Sequence, residues 1–106
     1  NRMRPVQRTN GMNKTESQYA EHLHLLKMGG EIIDYRYEPM NLRLASNTYY
    51  RPDFLVVYPD RFEVHEVKGF WEDDARVKIK VAQETFPWFQ FIAVKKTKGG
   101  WEFERF

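Results

Sequence analysis

An α/β domain, a mixed β-sheet flanked by helices, is the fold this sequence predicts, on three observations. Two segments carry apolar residues at helical spacing, one starting near Asn13 and one at 72–86. Between and after them run alternating apolar and polar residues, divided by turns containing Pro, Asn or Gly. The 106 residues leave room for one core, and a composition 42% hydrophobic and 16% aromatic is enough to pack it.

Residues 1–12 read as a mobile basic arm, with the folded domain over 13–106. The first helix starts at Asn13 because Asn13 with Glu16, or Thr15 with Gln18, forms a capping box. Its apolar face carries Tyr19, Ala20, Leu23 and Leu26, with Glu16 in the middle, and Met28-Gly29-Gly30 stops it. Ile33, Tyr35 and Tyr37 alternate with polar residues as in a half-buried strand. Pro39 interrupts the pattern, and Met40, Leu42 and Leu44 resume it. Ala45-Ser46-Asn47-Thr48 is a turn, and one strand is expected over about 49–57. Tyr58-Pro59-Asp60-Arg61 turns it into a return strand over 62–68, since proline at the second turn position has the φ that type I turns favour.

Residues 72–86 fit two patterns. Val77, Ile79 and Val81 alternate, but Ala75, Ile79, Ala82 and Phe86 fall at helical spacing. Asp73 and Asp74 suit a helix N-terminus, as capping residue and as charge, and Pro87 ends the segment, so a helix is expected. A buried strand over 89–94, a turn at Lys98-Gly99-Gly100 and an alternating strand over 101–106 complete the chain.

Formal net charge is only +2, but it is unevenly spread. Arg2, Arg4, Arg8 and Lys14 face no acid in 1–14, and six cations in 76–98 face Glu84 alone, whereas six acids gather in 60–74. Basic blocks around an acidic patch suit a protein that grips a polyanion and holds a cation, although solvated faces give the same counts. No apolar run approaches the ~20 residues of a membrane span, and NRMRPVQRTN has no signal-like apolar region. Absence of cysteine excludes disulfides and zinc–cysteine sites and fits a reducing compartment.

The chemistry concentrates in RPDF, at 51–54, and HEVKG, at 65–69. If 58–61 closes a hairpin, Val57 faces Phe62, Leu55 faces Val64 and Asp53 faces Glu66. Asp53, Glu66 and Lys68 then share one face of the sheet, with the two carboxylates roughly 5 Å apart at Cβ. Like charges so placed repel unless a divalent cation lies between them, Lys68 neutralises one, or one is protonated. A hard cation such as magnesium or manganese beside an ammonium group suits phosphodiester hydrolysis. A structural salt-bridge cluster is the alternative.

Pro52-Asp53 followed across a hairpin by Glu66-Val67-Lys68 resembles the PD-(D/E)xK signature of restriction-endonuclease-like nucleases. The resemblance spans about 13–94, including a preceding helix with an inward Glu and a following helix. It implies a restriction-endonuclease-like core and Mg²⁺ (or Mn²⁺) held by Asp53, Glu66 and the backbone carbonyl of Val67. Lys68 is then the catalytic lysine beside Asp53 and Glu66. Glu16 either completes the metal shell or only caps its helix. Small phage-encoded Holliday-junction-resolvase-like members are similar in length and order. The implied function is DNA hydrolysis at four-way junctions by a cytoplasmic homodimer. Open alternatives are another nicking, flap or mismatch endonuclease of this fold, and a non-catalytic DNA-binding module.

Arg51, Arg76, Lys78, Lys80 and Gln83, with Arg2, Arg4 and Arg8 of the arm, are candidate nucleic-acid contacts. Gly69 would let a phosphate backbone approach, or simply ends a strand. Phe70 and Trp71 could stack on a base or pack inward. His22 and His24 lack the i, i+4 spacing of a metal pair, and His65 points away from Glu66 in the strand register, so all three read as surface or structural residues.

Overall fold

The computed structural model describes residues 11–106. The order of elements is α1 (Lys14–Met28), β1 (Asp34–Tyr37), β2 (Leu42–Ala45), β3 (Thr48–Tyr50), β4 (Phe54–Val57), β5 (Phe62–Lys68), α2 (Asp73–Thr85), β6 (Gln90–Thr97) and β7 (Gly100–Arg105). The described residues form an α/β fold with a mixed sheet and two helices. Five strands form the main sheet in the order β1-β4-β5-β6-β7, and β2 with β3 forms a separate two-stranded sheet. Among the described residues, only β5 and β6 pair in parallel, joined through α2 as a parallel connection requires.

Helix α1 starts where the capping residues place it. The Asn13 side chain accepts from the Glu16 N–H, and Glu16 Oε1 accepts from the Asn13 N–H. Gly30, at φ +83°, takes the left-handed conformation after the last turn, which glycine adopts without strain. Helix α2 is also present, but its N-cap is Glu72, which makes no side-chain capping bond. Asp73 and Asp74 therefore contribute charge to its first turn and do not cap it.

Alternation along the strands divides the core. Phe54, Val56, Val67, Ile92 and Val94 pack with Tyr19 and Leu23 of α1. Val64, Phe91 and Ala93 pack on the other face with Ile79 and Ala82 of α2, joined there by Leu42 and Tyr50 of the small sheet. The hairpin register is the expected one: Val57 pairs with Phe62 and Leu55 with Val64, and the Tyr58 N–H bonds the Arg61 carbonyl at 2.9 Å.

The expected continuous strand over 49–57 is instead two strands in different sheets, β3 and β4, separated by Arg51, Pro52 and Asp53. Pro52 has no N–H to give a ladder and disfavours helical backbone at Arg51, so the chain changes sheets there. The basic arm lies outside the described residues over 1–10. Met12, expected to belong to that arm, packs instead against the α1-side core. Among the described residues, no helix is long and apolar enough to cross a membrane.

Candidate active site

The sheet change at Pro52 creates the site. With β4 beginning only at Phe54, this end of β5 keeps β6 on one edge but loses its backbone partner on the β4 edge, and side chains take that place. The Val67 N–H donates to Asp53 Oδ2 at 2.8 Å, and the Asp53 N–H donates to Glu66 Oε1 at 3.1 Å. Each acid is thus tied to the backbone beside the other. Lys68 Nζ lies 3.3 Å from Glu66 Oε2. Asp53, Glu66 and Lys68 therefore meet at one corner. Asp53 and Glu66 are buried, while Lys68 is partly open to solvent.

Two tyrosines not anticipated as site residues hold the acids. The Tyr50 O–H donates to Glu66 Oε1 at 2.7 Å, and the Tyr37 O–H donates to Glu16 Oε1 at 2.9 Å. The inward half of the Tyr35/Tyr37 alternation was a signal for Tyr37. Tyr50 reaches Glu66 only because β3 folds back with β2 over the α2 side, a long-range event that no local pattern shows.

The electrostatics are strained. Burial pushes the Asp53 carboxyl up, and the nearby charges of Glu66 and Glu16 push it further, to about 8, against the hydrogen bond from Val67 and the charge of Lys68. Burial raises Glu66 as well, opposed by Tyr50, Lys68 and the Asp53 N–H. Asp53 Oδ1 accepts no hydrogen bond from a described residue, although Asp53 is only 5% exposed. A buried, repelled carboxylate with an uncommitted oxygen is relieved by a cation.

Glu16 is the helix cap that the sequence allowed. Its Oε1 is committed to the helix cap and to Tyr37, yet its charge reaches Asp53. Among the described residues, no three His, Asp or Glu side chains form a ready metal cage. The fit to a metal therefore rests on the pair Asp53 and Glu66. Magnesium accepts that arrangement, since it commonly takes one or two carboxylates and keeps several waters.

The corner opens into a cleft of about 240 Å³ lined by Tyr50, Arg51, Glu66, Lys68 and Lys78. Lys78 sits 5.9 Å from the centre of the Tyr50 ring, and Arg51 makes only a 4.0 Å contact with Glu38. Arg51 and Lys78 are thus the anticipated cations that flank the acids. The other described candidates are not gathered there. Arg76 is bound to Glu104 at 2.6 Å and faces a different depression, beside Phe70 and Trp71. Lys80, two positions beyond Lys78, is exposed and does not line the cleft.

Gln83 is a structural bridge. It donates to the Phe89 carbonyl and accepts from the Phe91 N–H, both at 2.8 Å, which fixes α2 to the start of β6. Arg2, Arg4 and Arg8 lie outside the described residues. Phe70 and Trp71 differ in burial, and only Trp71 packs inward. Phe70 is 74% exposed, while Trp71 packs on the α2-side core and donates to the Val94 carbonyl at 3.3 Å.

No protein-family model matches the chain, and no curated protein matches it.

Proposed function

We propose that the chain is a metal-dependent endodeoxyribonuclease with a restriction-endonuclease-like core, and that it cuts branched DNA at four-way junctions. One observation carries the reading. Two buried carboxylates interlock where a sheet breaks at a proline, with a lysine ammonium 3.3 Å from one of them and a cationic cleft outside. A stabilising ion pair needs one acid; the second acid here must be relieved by a proton or by a cation.

In this reading Asp53 and Glu66 hold Mg²⁺ or Mn²⁺, together with the Val67 carbonyl, and Glu16 adds negative charge behind them. When bound, the ion polarises a phosphoryl oxygen and lowers the pKa of a coordinated water. Asp53, held protonated by its surroundings, would have to release that proton to serve as a ligand. Tyr50 restrains Glu66 Oε1 and leaves Oε2 for the ion and Lys68. The Lys68 ammonium orients the attacking water and meets the charge developing on the phosphoryl oxygens. Arg51 and Lys78 steer DNA phosphates along the cleft. A four-way junction has two-fold symmetry, so a homodimer presenting two such clefts matches it.

The test is cleavage of labelled four-way, flap, mismatched and linear DNA with magnesium, manganese or EDTA. Metal-dependent cutting of the four-way substrate in preference to the rest is expected. Metal-dependent cutting without that preference refutes the junction assignment alone. Absence of cutting on every substrate with either metal refutes the enzyme reading.

A further inference from the structure

On the α1 face, away from Asp53, a cavity of about 500 Å³ opens between α1, the 58–61 turn and β5–β7. That volume suits a small organic ligand. Its floor is a polar chain closed to water. The Tyr19 O–H donates to His65 Nδ1 at 2.6 Å, and His65 Nε2–H donates to Glu63 Oε1 at 2.9 Å. Arg61 Nε donates to Glu63 Oε2 at 2.6 Å. Tyr19, Glu63 and His65 are each at most 2% exposed, so none of them can do chemistry on a ligand. What the chain does is hold Arg61 still.

Arg61 is further fixed by Asp60, at 2.8 Å from Nη1, and by lying 4.0 Å over the Tyr58 ring. Its Nη2 has no acceptor among the described residues. Arg105 of β7 lines the same cavity and has no acidic partner among the described residues, and residues 1–10 contain no Asp or Glu. Two guanidinium groups at one concave surface, one already immobilised, suit a phosphate, which arginine binds through paired N–H donors. Phe103 lines the cavity too and is 53% exposed, an open aromatic face on which a planar base can stack.

We propose that this cavity binds a nucleotide, with its phosphate on Arg61 and Arg105 and its base on Phe103. The same chemistry is presented by a free mononucleotide and by an unpaired nucleotide of a single strand. The inference stands apart from the acidic site and needs no metal.

Isotope-labelled protein in EDTA, titrated with dAMP, deoxyadenosine, inorganic phosphate and a short oligo-dA, tests it through amide chemical shifts. dAMP is expected to shift residues of the 58–61 turn and β7. Deoxyadenosine and phosphate alone should bind at least about tenfold more weakly, since each lacks one half of the recognition. Arg105→Glu and Phe103→Ala, both on exposed side chains, should each weaken dAMP about tenfold while leaving the α2 amides unmoved. Oligo-dA binding more tightly than dAMP through the same residues makes a strand the ligand, and the reverse order makes it the free nucleotide. The proposal is overturned if dAMP shifts other residues or none, if phosphate alone binds as well as dAMP, or if neither variant changes the affinity.

Discussion

Strand β5 buries an acid on each face, Glu63 toward α1 and Glu66 toward α2. Burial raises Glu63, but hydrogen bonds from His65 and Arg61 outweigh it and hold the carboxyl down at about 2. Burial also lowers His65, so the ring stays neutral. It can then donate from Nε2 to Glu63 while accepting at Nδ1 from Tyr19. On the other face Glu66 shares one exposed-side lysine with Asp53, and Asp53 is driven up to about 8. Similar burial thus gives opposite outcomes. A buried carboxylate that serves structure comes with its donors supplied; the pair at 53 and 66 has been left one positive charge short.

The largest expected effect comes from filling that shortfall chemically. Asp53→Asn should lower metal-dependent cleavage by about a thousandfold or more, because a ligand charge is lost, while the protein stays folded by circular dichroism. An Asp53→Asn protein that cuts like wild type would make the two acids equivalent and remove the contrast. Next is Glu63→Gln, which strips a charge from the satisfied side and leaves Arg61 and His65 without it. A loss of roughly 3 kcal/mol at pH 7 is expected by denaturant unfolding.

The contrast also has a pH signature, in metal-free buffer. Folded Asp53 keeps its proton up to about pH 8, whereas the unfolded chain releases it near 3.8. Between those values the folded state binds more protons, so this acid makes stability fall as pH rises toward 8. Glu63 runs the other way. Its contribution is complete above 4.5 and is lost as pH falls toward about 2. Unfolding followed from pH 3 to 9 should therefore show both slopes in wild type and a shallower alkaline loss in Asp53→Asn, where only buried Glu66 still contributes to it. Added magnesium should offset the alkaline loss.

Smaller effects sharpen the picture. Tyr50→Phe removes the donor to Glu66 Oε1 and should cost about 1 kcal/mol of stability and several-fold in cleavage. Gly69→Ala is the mildest. An added Cβ meets only Thr15 Oγ1, at 3.9 Å, so stability should move by less than about 0.5 kcal/mol. A fall in cleavage with stability unchanged would then mean that DNA backbone passes close to Gly69.

The acidic corner was legible because it depends on local rules. The turn at Pro59 sets the hairpin register, and the register carries Asp53 to Glu66 by counting along two strands. The capping box at Asn13 and the apolar spacing of α2 are legible for the same reason. What could not be read are partners chosen by tertiary packing. Glu104 claims Arg76 from 28 residues away, and two backbone groups at the start of β6 claim Gln83. Tyr50 arrives on a sheet whose separation from β4 is visible only once the chain has folded. His65 has strand-like sequence surroundings, and its buried bonds run to Tyr19, 46 positions earlier, and to Glu63.

Gln83 gives the cleft a fixed jaw: by stitching α2 to β6, it makes Lys78, Glu66 and Lys68 travel together with the main sheet. The opposing jaw is Tyr50, on a two-strand flap, and Arg51, the first of the three residues without regular structure that lead from the flap into β4; residues 38–41 join the flap to β1 on its other side. The Tyr50–Glu66 hydrogen bond and the burial of Leu42 and Tyr50 in the α2-side core with Ile79 and Ala82 together hold the jaws closed. Losing the hydrogen bond alone would leave that packing in place, and with it the bonds that seat each acid on the backbone beside the other.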